Sequence, residues 1–161
     1  MQQKPDHFGD ILAPREIATT LPEGYNGLER IVLAANGNLQ RIMSAYYNSK
    51  VTVQILKSER RAGESNVYDR DVNLLCKGKI FCNAKSVVTL QKKEHLELIE
   101  ENKVGLGQLF FYLRLLPSFE LHHTARGAPD SNMLMLRDYT LSADGIVCDI
   151  HEEFTKDMFD L

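Results

Sequence analysis

From Pro22 to Ser49 the apolar residues Leu28, Ile31, Val32, Leu39, Ile42, Met43 and Tyr46 recur at helical spacing. Asn36-Gly37 interrupts the series, so the segment predicts two short helices joined by a turn, a helical hairpin that must cap something. The period then changes to two: Val51, Val53 and Ile55 alternate with Thr52 and Gln54, the pattern of a half-buried strand. Ala62-Gly63-Glu64-Ser65 reads as a turn. Residues 67 to 76 and 79 to 90 follow as two strands rich in Val, Leu, Ile and Phe, and Lys77-Gly78 between them suits the tight reversal of a β-hairpin.

Gln91 to Lys103 is charged, with apolar positions at helical spacing. Gly105-Leu106-Gly107 then leads into a second, strongly apolar helical run through Leu116, which Pro117 should stop. Three more extended segments, roughly 118 to 126, 132 to 142 and 146 to 154, are separated by Gly127-Ala128-Pro129-Asp130 and Ala143-Asp144-Gly145. About six strands joined mostly by turns too short for parallel crossovers predict an α+β fold: a largely antiparallel six-stranded sheet with about four helices packed on one face and at the ends. There is no internal repeat and no low-complexity tract.

Composition narrows the classes. With 161 residues, 43% apolar and 25% charged, the chain is expected to form a single domain over 1–161, with residues 1–10 a flexible tail. A net charge of -3 and a pI near 5.9 argue against nucleic acid as partner. Three cysteines, Cys76, Cys82 and Cys148, are an odd number without CxxC spacing, which speaks against a disulfide framework or a zinc site and for a reduced cytoplasmic setting. Met1 to Asp10 has no apolar core of a signal peptide, and no run approaches the roughly 18 apolar residues of a membrane span. The expectation is therefore a protein neither secreted nor membrane-anchored.

A charged residue in the apolar register of its strand points at the core, where it is costly unless paired. On 67–76, Arg70 shares a face with Tyr68, Val72, Leu74 and Cys76. On the last strand, Glu152 shares one with Ile146, Cys148, Ile150 and Phe154. Arg137 lies with Met133, Met135, Tyr139 and Leu141, although Leu134 and Leu136 blur its face. The plain reading is that Arg70 and Glu152 form a buried ion pair. The functional reading is that Arg70 grips a planar carboxylate through its two-pronged guanidinium, while Glu152, in apolar surroundings, serves as acid, base or hydrogen-bond partner.

Gly105-Leu106-Gly107 at a helix start could present backbone N–H groups to an anion, or could be only a glycine-permitted turn. It is not a dinucleotide fingerprint, because Phe110 stands where the third glycine belongs. Adjacent His122 and His123 face opposite ways on a strand, so no metal is assigned, and the three cysteines read as small apolar core residues. The charge run from Lys92 to Glu101 reads as a solvated helix face.

The run Tyr68-Asp69-Arg70-Asp71-Val72-Asn73-Leu74-Leu75-Cys76-Lys77-Gly78, continuing to Ala84-Lys85-Ser86-Val87-Val88, resembles the chorismate lyase signature. The similarity extends in order through Asn36-Gly37-Asn38-Leu39-Gln40-Arg41, Val51 to Ile55, Gly105-Leu106-Gly107-Gln108-Leu109-Phe110 and Ile150-His151-Glu152-Glu153-Phe154. It is nearest to the compact chorismate lyase-like proteins of archaea and plastids. The resemblance implies a chorismate lyase-like fold and a carbon–oxygen lyase that splits chorismate into 4-hydroxybenzoate and pyruvate without a cofactor. It further implies Arg70 and Glu152 as the catalytic pair. Leu106, through its backbone N–H, Gly107, Arg137 and Leu39 would then be substrate-binding residues.

Two departures stand out: Thr89 follows the Val-Val where the family has proline, and 127–137 lacks the Trp-Gly-Arg-Arg run of the bacterial enzymes, whose cation Arg126 or Arg137 would have to replace. The expected partner is a small aromatic or enolpyruvyl carboxylic acid, with no nucleic acid and no membrane. The alternative from another class is a non-catalytic, effector-sensing module of the same fold, for which no winged helix or basic recognition helix is visible. A third possibility is an enzyme of this fold acting on a different aromatic or enolpyruvyl acid.

Overall fold

The structure is a computed structural model, and it describes residues 21–101 and 108–161. Among them the helices are α1 (Gly27–Leu33), α2 (Leu39–Tyr47), α3 (Lys93–Glu100) and α4 (Leu109–Tyr112). The strands are β1 (Val51–Arg60), β2 (Val67–Cys76), β3 (Lys79–Leu90), β4 (Ser118–Arg126), β5 (Met133–Ala143) and β6 (Ile146–Thr155). They form one six-stranded sheet in the order β1-β2-β3-β6-β5-β4, with every neighbouring pair antiparallel. The fold is α+β.

Local chemistry explains the element boundaries. Asn26 caps α1 by accepting from the Glu29 backbone while the Glu29 side chain accepts from the Asn26 N–H, a reciprocal capping box. Asn48 ends α2 in the left-handed conformation at φ 48°. The β2–β3 hairpin turns on Lys77 and Gly78, both at positive φ, and opposes Cys76 with Lys79, the two-residue geometry that matches strand twist. Two elements differ from the periodicity reading. β1 runs on to Arg60 because a bulge at Leu56 lets the charged stretch Lys57–Arg60 keep pairing with β2. The apolar run after Gln108 is helical only to Tyr112; Arg114 takes φ 53° and reverses the chain before Pro117 is reached.

Alternation sorts the sheet into a polar face and an apolar one. The apolar face carries two clusters. In one, Val32 and Leu33 of α1 and Leu39 and Met43 of α2 pack on Val72, Leu74, Cys82, Met135 and Phe154. In the other, Leu109 of α4 and partly buried Leu96 and Ile99 of α3 pack with Val88, Phe119, Tyr139, Leu141 and Cys148. The described helices therefore lie on one face of the sheet. Cys76, Cys82 and Cys148 are buried free thiols in these clusters. No described helix is long and apolar enough to cross a membrane.

Candidate functional site

Directly opposed residues of an antiparallel ladder project to the same side, so the registers can be followed across the sheet. One row runs Arg70 (β2), Ser86 (β3), Ile150 (β6) and Tyr139 (β5); the next runs Val72, Ala84, Glu152 and Arg137. Both belong to the helix-covered face and lie between the two apolar clusters. Arg70, Ala84, Ser86 and Ile150 are only half-buried although they occupy the middle of the sheet. The described helices thus leave the centre of their own face incompletely covered, over a floor of the small residues Ala84 and Ser86.

The two inward arginines differ sharply in what they touch. Arg137 is fully buried, and Glu152 is 4% exposed. Arg137 Nε donates to Glu152 Oε2 at 2.7 Å, and Tyr139 Oη donates to Glu152 Oε1 at 2.7 Å, so both carboxylate oxygens are occupied. Arg137 Nη1 spends its two protons on the carbonyls of Leu33 (3.0 Å) and Ala35 (2.8 Å), tying the carboxyl end of α1 to the sheet. The guanidinium lies 4.0 Å from the centre of the Tyr139 ring. Its Nη2 is buried without a partner among the described residues. Burial works against the charged form of Arg137, but the Glu152 carboxylate, Tyr139 and Cys82 together offset it, and the guanidinium pKa is raised. Burial, reinforced by the same carboxylate, pushes the Tyr139 phenol well above its ordinary value, so it remains a donor.

Arg70 forms no hydrogen bond or ion pair with a described residue. Burial lowers its pKa, and the one nearby group that counteracts this is the Cys148 thiol. Burial and Asp149 together push that thiol up to about 12 against the opposing pull of Arg70, so it stays neutral and offers the guanidinium no charge. A cation held half out of water with no anion is a destabilising arrangement unless something else supplies the anion.

Of the residues singled out from the sequence, Arg70, Glu152 and Arg137 share one face as expected. Glu152, however, is the partner of Arg137 rather than of Arg70, from which it stands two strands away, on the order of 10 Å between backbones. Leu39 opens α2 and is buried in the cluster beneath it. Leu106 and Gly107 lie outside the described residues. Arg126 is engaged elsewhere: it clasps Glu29 through both terminal nitrogens, at 2.7 and 2.8 Å, and the Gly24 carbonyl. Tyr139 escaped notice as a polar group of this region, although it could have been found, because it shares the register of Arg137.

The opposite face carries a shallow bowl of about 670 Å³ lined by Lys57, Asp71, Lys85, Asp138, Asp149 and His151, among others. Arg70, Ser86, Ile150 and Tyr139 border it as well, but their registers direct their side chains to the other face, so their backbones form that border. His151 hydrogen-bonds Asp138 at 2.6 Å and Glu153 at 3.1 Å, and His122, Thr140 and Asp149 form a chain with links of 2.7 Å. These polar groups satisfy one another across strands, as on a solvated sheet face. Among the described residues no group of three His, Cys, Asp or Glu side chains is placed to hold a metal ion.

No protein-family model matches the chain, and a search of curated proteins returns no significant match.

Proposed function

We propose that the protein is a chorismate pyruvate-lyase whose substrate carboxylate is bound by Arg70. The observation that carries this reading is the half-buried Arg70 guanidinium on the covered face, with no acceptor among the described residues. The resemblance of the segment from Tyr68 to Gly78 to the chorismate lyase signature supports it, as does the small-residue floor of Ala84 and Ser86 beside Arg70.

The reaction requires little of the protein beyond placement and exclusion of water. Loss of the proton from the hydroxyl-bearing ring carbon and cleavage of the adjacent ring carbon–oxygen bond release enolpyruvate. That fragment takes up a proton on carbon to become pyruvate, while the ring becomes aromatic. Arg70 anchors the ring carboxylate with two parallel charge-assisted hydrogen bonds. Arg137, whose Nη2 has no partner among the described residues, is the donor at the other end of the site, and Glu152, fixed by Arg137 and Tyr139, assists removal of the ring proton, which the carbon of the enolpyruvate fragment takes up.

A second reading is favoured by one feature. Both oxygens of Glu152 already accept a hydrogen bond, which suits a module that holds an aromatic acid without turning it over.

Incubation of the purified protein with chorismate, following 4-hydroxybenzoate and pyruvate together, tests both. Equimolar release that is lost in Arg70→Ala is the expected result. Tight binding of 4-hydroxybenzoate without turnover would replace the lyase by the sensor, and neither turnover nor binding would remove both.

A further inference from the structure

The two edges of the sheet are finished differently. On β4 the inward residues Phe119 and Leu121 are 0% and 4% exposed. On β1 the helices cover only the start. Val51 packs in the cluster of α1 and α2, whereas Val53 and Ile55, next in the same register, are 39% and 61% exposed, and Leu56 in the bulge is 53% exposed. β1 pairs with β2 on one side only, so the N–H and C=O groups of its other side have no strand to bond among the described residues. An edge of ten residues with aliphatic side chains standing clear of the helices fits a further extended strand that carries aliphatic residues on the same face.

The strand itself answers that description. β2 passes Leu56 without pairing it, so Val51, Val53, Ile55, Ser58 and Arg60 share the helix-covered face, and Thr52, Gln54, Lys57 and Glu59 share the polar one. Lys50, exposed just before the strand, continues the polar register and has no ion-pair partner among the described residues; Glu59 has only Lys57, at 3.9 Å. Antiparallel pairing with a second copy about a two-fold axis on any ladder position keeps both faces matched, and charge then chooses the axis. With Leu56 skipped in both copies, an axis at Val53 sets Lys50 against Lys57 of the second copy, and an axis at Ile55 sets Val53 against Ser58. An axis at Gln54 sets Val53 against Ile55 and Lys50 against Glu59, each twice by symmetry. Charges on an edge ordinarily deter pairing; here they single out one register. We infer that β1 is a homodimer interface: a second copy of the chain pairs antiparallel along 50–59 about a two-fold axis at Gln54, joining the two sheets into one. The inference is independent of the reading of Arg70.

Sedimentation velocity of the full chain over a concentration series tests it. An interface built on one strand pair is small for a specific complex, so the wild type should pass from monomer to dimer at concentrations on the order of 10 µM. Ile55→Lys, which sets a charge against Val53, should raise the dissociation constant at least about tenfold. Glu59→Lys and Lys50→Glu should each do the same, because each meets a like charge at both symmetry-related places. The double variant Lys50→Glu/Glu59→Lys exchanges the charges and should return to within about threefold of the parent. All three positions are exposed, so urea midpoints should stay near that of the parent, which separates dissociation from unfolding. A wild type that stays monomeric to roughly 200 µM overturns the inference and leaves the edge to a strand of another protein. A dimer indifferent to Ile55→Lys overturns it by placing the interface elsewhere, and failure of the double reversal to restore a dimer weakened by both single reversals overturns the register about Gln54.

Discussion

Arg70 and Arg137 stand on the same face of the same sheet, one pleat and three strands apart, and their surroundings assign them opposite tasks. Arg137 is fully buried, with Glu152, Tyr139 and two backbone carbonyls around it, so its charge serves the fold. Arg70 is less buried and has no acceptor among the described residues, so its charge is available. Burial alone would single out Arg137, whereas the proposed reading rests on Arg70. What marks a candidate binding group is unspent hydrogen-bonding capacity at a partly open position, and of these two arginines it is Arg70 whose guanidinium has no partner among the described residues.

The sharpest way to break this contrast is to remove one member of the buried pair. Arg137→Met leaves the Glu152 carboxylate in the core with only Tyr139, and Glu152→Ala leaves the guanidinium with only carbonyls. Each should cost roughly 3–5 kcal/mol of unfolding free energy, the usual consequence of stranding a buried charge. Urea denaturation measures it, and because the two residues share one interaction the double variant should lose less than the sum of the singles. A loss below about 1 kcal/mol for either single variant would mean that the network relaxes around the hole and that Arg137 is not the structural arginine.

Arg70→Ala should do the reverse. Its stability should stay within about 1 kcal/mol of the parent, since no described partner is stranded and a poorly solvated charge is relieved. Affinity for 4-hydroxybenzoate should fall by about a hundredfold, the loss of a charge-assisted pair of hydrogen bonds. A variant that unfolds with an unchanged ligand affinity in its surviving fraction would reverse the assignment of the two arginines.

How much of this was legible in the sequence follows from what alternation can encode. Period-two patterning located β2 and β3 and placed Arg70, Glu152 and Arg137 on one face, because a side chain's face depends only on its own strand. Which of them meet depends on strand order. The sheet seats β6 between β3 and β5, which puts Arg137 directly opposite Glu152 and leaves Arg70 on β2, a relation that no local pattern carries. Leu134 and Leu136 blurred the face of Arg137 for a local reason: Leu134 sits in a bulge and Leu136 is half-buried on the polar side. The extension of β1 past Ile55 was hidden by charge, since Lys57 and Glu59 belong to the solvated face and their strand conformation comes from pairing with β2.

Arg126 supplies the intermediate case, an arginine about half-exposed whose partner Glu29 is buried, and it sharpens the comparison through pH. The two hydrogen bonds from Arg126 hold the Glu29 carboxyl below its ordinary value near 4.5, against the opposing effect of burial and with help from the Asn26 N–H. A carboxyl whose pKa is depressed by folding contributes stability that is fully present above its unfolded value and is lost as pH falls through the folded one. The parent should therefore lose stability on acidification below about pH 4.5, and Glu29→Gln, which has no proton to take up there, should show a shallower fall over the same range. The difference should be small, on the order of 1 kcal/mol, because Arg126 is open to solvent on one side. Urea midpoints of the two proteins between about pH 6 and pH 3 give the comparison. Parallel curves would show that the Arg126–Glu29 clasp contributes nothing that protonation can remove, placing Arg126 beside Arg70 as an uncommitted cation. A steeper parent curve places it with Arg137, as an arginine spent on holding α1 against the sheet.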